Sequence, residues 1–214
     1  MPGGMIASMR LTEGIYSVDG VRAANSYVVD TVDGVMVVDT GMPGNADRIL
    51  ACAERFGRAG GIRYIVLTHS DMDHVGSAAR LKELTGAAVA IHGLDAPVLA
   101  GTEKSAKGGR LMGALRRLVR VSPVAPDMLL TNGERIGGFT VMHAPGHTPG
   151  SIVLFRADGV VFTGDALLSD KRGNVLPPSP RLSLDRVQAD VSAGRIKALP
   201  TSLLLPGHGA PVRG

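Results

Sequence analysis

Ile62-Arg63-Tyr64-Ile65-Val66-Leu67-Thr68 reads as a buried β-strand, and it runs directly into His69-Ser70-Asp71-Met72-Asp73-His74. Four metal-ligand side chains therefore occupy six positions at the end of one strand. Two imidazoles and two carboxylates at this spacing cannot all face one point. A turn leaving a strand can direct two of them to one cation and two to another, which points to a pair of metals. Other ligand types also follow strand-like runs: His147 in Pro145-Gly146-His147-Thr148-Pro149-Gly150, Asp165 in Thr163-Gly164-Asp165, and His208 in Pro206-Gly207-His208-Gly209. Loops at strand ends carry polar groups on a rigid base, and the glycines let backbone pass close to a shared site.

Outward from this stretch, short apolar runs alternate with turn signals. Ile15 to Val18, Ser26 to Thr31 and Val35 to Asp39 read as strands, the last two joined through Val32-Asp33-Gly34 as a hairpin. Helical spacing over Asn45 to Arg58 (Ile49, Ala53, Phe56) precedes the Ile62 strand, and Val75 to Leu84 predicts another helix ended by Gly86. Ala87 to Ile91, Phe139 to His143, Ile152 to Arg156 and Val160 to Phe162 predict further strands. Ser183 to Leu199 predicts a helix stopped by Pro200, followed by a strand at Ser202 to Leu205. The segment Asp33-Gly34-Val35-Met36-Val37-Val38-Asp39 is echoed by Asp158-Gly159-Val160-Val161-Phe162-Thr163-Gly164-Asp165. Each is a hairpin ending in a carboxylate, and a duplicated sandwich follows from that echo.

The 214 residues suit one large domain. Hydrophobic residues at 44% and charged residues at 20% exclude a disordered, collagenous or coiled-coil chain. The single cysteine, Cys52, excludes an intramolecular disulfide and any Cys-based zinc cluster, leaving imidazoles and carboxylates to hold a metal. Cys52 falls on the apolar side of a helix, as an inert buried thiol does. No apolar run approaches the roughly 20 residues of a membrane span, and Met1 to Met9 lacks signal-peptide character, so the expectation is cytoplasmic. The net charge of +4 is local, since residues 101–120 hold six Lys or Arg against Glu103 alone. With no Trp, three Tyr and four Phe there is no platform for base stacking, and nucleic acid is not an expected partner.

At the ligand residues the chain resembles the metallo-β-lactamase superfamily, whose signature is H-x-H-x-D-H followed by a lone His, a bridging Asp and a last His. The resemblance covers about residues 11–212 and implies an α/β fold, a four-layer αββα sandwich. It further implies a first metal on His69, Asp71 and His147, a second on Asp73, His74 and His208, and Asp165 between them. Asp39 stands where the family keeps an aspartate that orients a ligand imidazole. One position departs from the pattern: Asp71 replaces the family's second histidine. If Asp71 ligates, the added negative charge makes the pair less electrophilic and favours harder ions. The other reading of Asp71 is a carboxylate turned to an arginine or capping the Val75 helix.

Two divalent ions are expected, zinc first, with iron or manganese as alternatives. The implied chemistry is hydrolysis, with water activated on the metals and Asp73 and His74 in catalytic roles. The expected substrate is a small ester, thioester or lactone. The stretches around His147 and Asp165 look most like the glyoxalase II and lactonase-like branches. The alternatives are a di-iron oxidoreductase, a phosphodiesterase or β-lactam hydrolase of the same fold, and a non-catalytic metal-binding protein.

His143 forms H-x-x-x-H with His147, but Ala144-Pro145-Gly146 breaks any helix that would align them, so His143 and the strand-ending His92 are read as structural. The whole chain, 1–214, reads as one domain with a helical cap insertion at about 97–126. Leu111, Met112, Leu115, Leu118 and Val119 fall on one face there, with arginines opposite. Such a cap suits a small-molecule substrate that is anionic or acyl-bearing. Packing of that helix on the sandwich, or contact with an anionic membrane surface, are the other readings.

Overall fold

The computed structural model describes residues 8–56, 61–107 and 119–214. A seven-stranded sheet is built from β1 (Ser8–Thr12), β2 (Ile15–Val18), β3 (Tyr27–Thr31), β4 (Gly34–Val38), β5 (Ile62–Val66), β6 (Ala88–His92) and β7 (Met128–Leu130), in that order. It is antiparallel through β4 and parallel from β4 to β7. A second sheet of six strands runs in the order β15 (Val212–Arg213), β14 (Leu203–Pro206), β11 (Val160–Gly164), β10 (Ile152–Phe155), β9 (Phe139–His143) and β8 (Arg135–Ile136). A small hairpin pairs β12 (Leu168–Ser169) with β13 (Val175–Leu176).

Period-two alternation sorts the strand residues into layers. In β4, Met36 and Val38 face the second sheet, while Val35 and Val37 face outward onto α1 (Ala46–Phe56) and α3 (Ala78–Thr85). In β11, Val160 and Phe162 face the first sheet, while Val161 faces α5 (Arg186–Lys197), which contributes Ala193 and Ile196. Three apolar cores thus separate four layers, helix, sheet, sheet, helix. Phe162 ties the central core, its ring 5.3 Å from both Tyr27 of the first sheet and Phe139 of its own. Each such buried side chain contributes roughly 1.5–3 kcal/mol by leaving water. Cys52 is buried in the outer core beside Ile49, as expected. Among the described residues, no helix is long and apolar enough to cross a membrane.

The helix expected over Val75 to Leu84 is two helices, α2 (Met72–Val75) and α3, broken at Gly76 and Ser77. The break follows from packing. A Cβ at Gly76 would sit 2.5 Å from Pro43, the Gly76 N–H donates to Gly41 O, and Ser77 Oγ receives the Asn45 N–H. Gly86 ends α3 in a left-handed conformation (φ 69°), as its place in the sequence predicts. The strands β1, β7, β8 and β15 have no comparable pattern of their own and are defined by their pairing. A fourth short helix, α4 (Ala96–Leu99), opens the expected insertion. Residues 108–118, which carry most of its amphipathic face, lie outside the described residues.

Candidate metal centre

The four loops that carry the ligands leave the two sheets at the same edge. Loop 67–71 follows β5 and leads into α2, bringing in His69, Asp71, Asp73 and His74. His147 follows β9, Asp165 follows β11 and His208 follows β14. Across the sandwich, Asn25 and Tyr27 fasten the His208 loop. Asn25 Nδ2 donates to the Pro206 and Gly209 carbonyls, both at 2.9 Å, and Tyr27 Oη donates to Pro206 O at 2.7 Å. Two glycines bring backbone close without side chains in the way. A Cβ at Gly207 would lie 2.5 Å from Asp165 Oδ1, and one at Gly146 would lie 2.2 Å from the α5 backbone.

All seven expected ligands converge. His69, Asp71 and His147 form one group with ligand atoms within 4.8 Å of one another, and Asp73, His74 and His208 form another. Asp165 lies between them: its Oδ2 is 3.3 Å from His147 Nε2, and its Oδ1 is 3.4 Å from His74 Nε2 and 3.6 Å from His208 Nε2. The rings crowd accordingly, with centroids 4.0 Å apart for His69 and His74 and 4.7 Å apart for His69 and His147.

Asp39 aims one of these imidazoles. Its Oδ2 accepts from His74 Nδ1 at 2.8 Å and from Thr68 Oγ1 at 2.8 Å, and its Oδ1 accepts the Thr68 N–H at 2.8 Å. That fixes the His74 ring with Nε2 pointing into the cluster, the arrangement expected of a metal-ligating histidine. Asp71 is the N-cap residue of α2, yet its side chain makes no cap bond. Its carboxylate faces the cluster, 3.1 Å from His147 Nε2 and 3.5 Å from His69 Nε2. The capping alternative is thereby set aside. A charge partner is present, but it is Lys107, whose Nζ donates to Asp71 Oδ2 at 2.5 Å, and not an arginine.

The donor set fits a cation. His69 Nε2, His74 Nε2, Asp71 Oδ1 and Asp165 Oδ1 are all buried without a hydrogen-bond partner. A buried polar atom left unpaired costs about 1–3 kcal/mol, so such a concentration calls for a ligand. Electrostatics agree. Burial would raise the Asp165 carboxyl, but the imidazoles of His74, His69 and His147 hold it far below the ordinary carboxylate range. Burial likewise opposes ionisation of Asp71, where the neighbouring His147 and His69 imidazoles and the Lys107 ammonium win. Asp73 is lowered by His208 in the same way. Burial pushes His147 down to about 4, leaving a neutral imidazole available as a donor.

His143 and His92 do not join the cluster; their rings stack at 4.1 Å, and His143 Nε2 lies 2.8 Å from Pro149 O. Two residues went unread in the sequence. Buried Asp95 accepts the Ser70 and Gly150 N–H groups, both at 2.7 Å, and Thr148 Oγ1 at 2.9 Å, binding the first ligand loop to the His147 loop. Its only signal was a strand end followed by Asp. Lys107 was one of six basic residues in its segment, with nothing to single it out.

A family model described as the metallo-beta-lactamase superfamily matches residues 19–208. The chain belongs to the metallo-β-lactamase superfamily. Among its relatives, "Probable metallo-hydrolase YflN" of Bacillus subtilis (strain 168) is 28% identical over 97% of this chain and 88% of its own length. A hydroxyacylglutathione hydrolase of Cereibacter sphaeroides (strain ATCC 17025) is 32% identical over 74% of this chain, which spans 51% of that enzyme. Of solved structures, TTHA1623 in a di-iron-bound form superposes with a TM-score of 0.68 at 31% identity, covering 89% of each chain. The superfamily's αββα sandwich is the fold observed here.

Proposed function

We propose that this metallo-β-lactamase superfamily member is a metal-dependent hydrolase of a small ester, thioester or lactone. The observation that carries this reading is the convergence of seven imidazole and carboxylate groups, with unpaired buried polar atoms, of which Asp71, Asp73, His147, Asp165 and His208 line a cavity of about 570 Å³ while His69 and His74 are buried behind them. Asp73, His74, His208 and Asp165 are the residues we assign to a divalent ion; His69, Asp71 and His147 stand beside them. Bound there, a divalent ion supplies Lewis acidity toward a substrate oxygen and makes a water more acidic.

The chain's own residues do the rest. Asp39 holds the His74 tautomer, and Asp73, with its Oδ2 3.3 Å from His208 Nε2 and its side chain part-exposed to the cavity, is placed to take a proton from water. Leu168, Leu182 and Leu184 line the cavity opposite the ligands, and Arg181 and Lys107 add positive charge. Apolar walls with a cationic rim suit an acyl group that carries an anionic or carbonyl end. A second groove of about 510 Å³, sharing Met72 and Lys107 with the first, extends the apolar surface through Val75, Val98 and Leu99. The relationship to hydroxyacylglutathione hydrolases supports a thioester within this class.

The test is a panel of aliphatic esters, thioesters and lactones assayed with zinc-, manganese- and iron-loaded protein. Turnover on at least one member is expected, abolished by a chelator and restored by metal. Asp73→Asn should lower kcat by about 10²-fold or more, the scale of a lost general base. Absence of turnover across the panel, or turnover indifferent to chelation, would overturn the reading.

A further inference from the structure

The first ligand group already contains a cation. Lys107 Nζ lies 2.5 Å from Asp71 Oδ2 and 2.6 Å from His147 Nε2, two of the three groups that the family resemblance gives to the first metal. The lysine side chain is only 12% exposed. Its loop is fastened as well: Gly101 N–H donates to Val98 O, the Thr102 and Glu103 N–H groups donate to Pro97 O, and Val124 N–H donates to Leu99 O from the returning chain. The segment leading to Lys107 is thus anchored over residues 97–103, and the Lys107 N–H donates to Ser105 Oγ at 3.3 Å.

An ion bonded to the same oxygen and nitrogen at the roughly 2.0–2.2 Å of such bonds would need the volume that Nζ fills. Its charge would also face the ammonium across a contact distance. The second group is different: among the described residues no lysine or arginine reaches Asp73, whose partner is the His208 imidazole at 3.3 Å, and His74 Nε2 is unpaired. Charge counting points the same way. Asp71, Asp73 and Asp165 bring three negative charges to the cluster, which one divalent ion and one ammonium cancel. Two divalent ions beside a retained ammonium would leave an excess of positive charge in a largely buried site.

We infer that the Lys107 ammonium takes the place of the first metal ion, and that the native centre holds a single divalent ion on Asp73, His74, His208 and Asp165. Asp71, where the family pattern has a histidine, is then the lysine's counterion: a carboxylate neutralises the ammonium, which a neutral imidazole does not. Lys107 also lines the cavity. This inference rests on the proposal that the cluster binds a divalent ion.

The experiment is zinc titration of the metal-stripped 214-residue chain, read by native mass spectrometry and elemental analysis. The wild type is expected to take one zinc per chain, Lys107→Ala two, and Lys107→Arg one, with melting curves establishing that each variant is folded. If Lys107→Ala fails to fold, Lys107→Met carries the same expectation of two. Two tightly held zinc ions in the wild type overturn the inference while leaving the metal-centre reading intact. So does a folded Lys107→Ala or Lys107→Met variant that stays at one, or one that loses its zinc because Lys107 is itself a ligand. No zinc on any form overturns the metal-centre reading and this inference with it.

Discussion

Asp39 has a backbone φ of 56°, in the left-handed region that few residues other than glycine enter, and aspartate is among those that tolerate it. From that position, just past β4, one carboxylate meets three donors, two from Thr68 and one from His74. Replacing Asp39 with Asn puts an amide donor against one of them and lets the His74 ring turn. Metal affinity should fall about 10- to 100-fold, measured by competition with a chromogenic chelator. The same ring predicts a pH dependence. Burial works to lower the His74 pKa, but the carboxylates of Asp165 and Asp39 outweigh it and hold the value well above the ordinary 6.5. The metal-free ring is thus protonated at neutral pH and must lose that proton to ligate. Metal affinity should therefore strengthen as pH rises from about 6.5 toward the raised value and weaken as pH falls. Calorimetry in buffers of different ionisation heat should show a proton released on binding. The ligands themselves were legible because they follow strand ends at distinctive spacings. Lys107 and Asp95 were not, because each acquires its role from a partner far along the chain, Asp71 for one and Ser70 and Gly150 for the other.

At the level of elements, two ligand-bearing loops depend on α4. Asp95, at its N-terminus, accepts the backbone N–H groups of Ser70 and Gly150 from loops that follow different sheets. Asp95→Ala strands both donors in a buried setting, at about 1–3 kcal/mol each. The chemical-denaturation midpoint should fall with the slope unchanged, and metal affinity should fall with it as the His69 and His147 loops part. An unchanged midpoint would show that water replaces the carboxylate. Alternating apolar residues located β3, β4, β10 and β11 to within a residue or two. The division of α2 from α3 escaped notice because its cause, the Pro43 ring against Gly76, lies about thirty residues upstream.

Over the whole molecule, three apolar cores carry the sandwich while the cluster sits at its edge with like-charged carboxylates close together. A bound ion relieves that crowding only in the folded state. At metal concentrations about 100-fold over Kd the stabilisation is about 2.7 kcal/mol. For a chain of this size chelation should then lower Tm by about 5–10 °C, at 2–4 °C per kcal/mol. A melting curve that chelator leaves in place would mean the metal-free cluster is already satisfied. The layer order was legible through the ligand motifs, whose resemblance to the family implies an αββα sandwich, and through the echo of Asp33–Asp39 in Asp158–Asp165, which implies two similar halves. The small β12–β13 hairpin and the edge strands were not, being too short to carry a period.

His74 is gripped from opposite sides by Asp39, which follows a strand of one sheet, and by Asp165, which follows a strand of the other. Any shear between the two halves of the sandwich must tilt or stretch that clamp before it disturbs the apolar interior. The ring-nitrogen resonances of this one histidine would serve as a strain gauge, registering slippage of sheet against sheet while every strand remains intact.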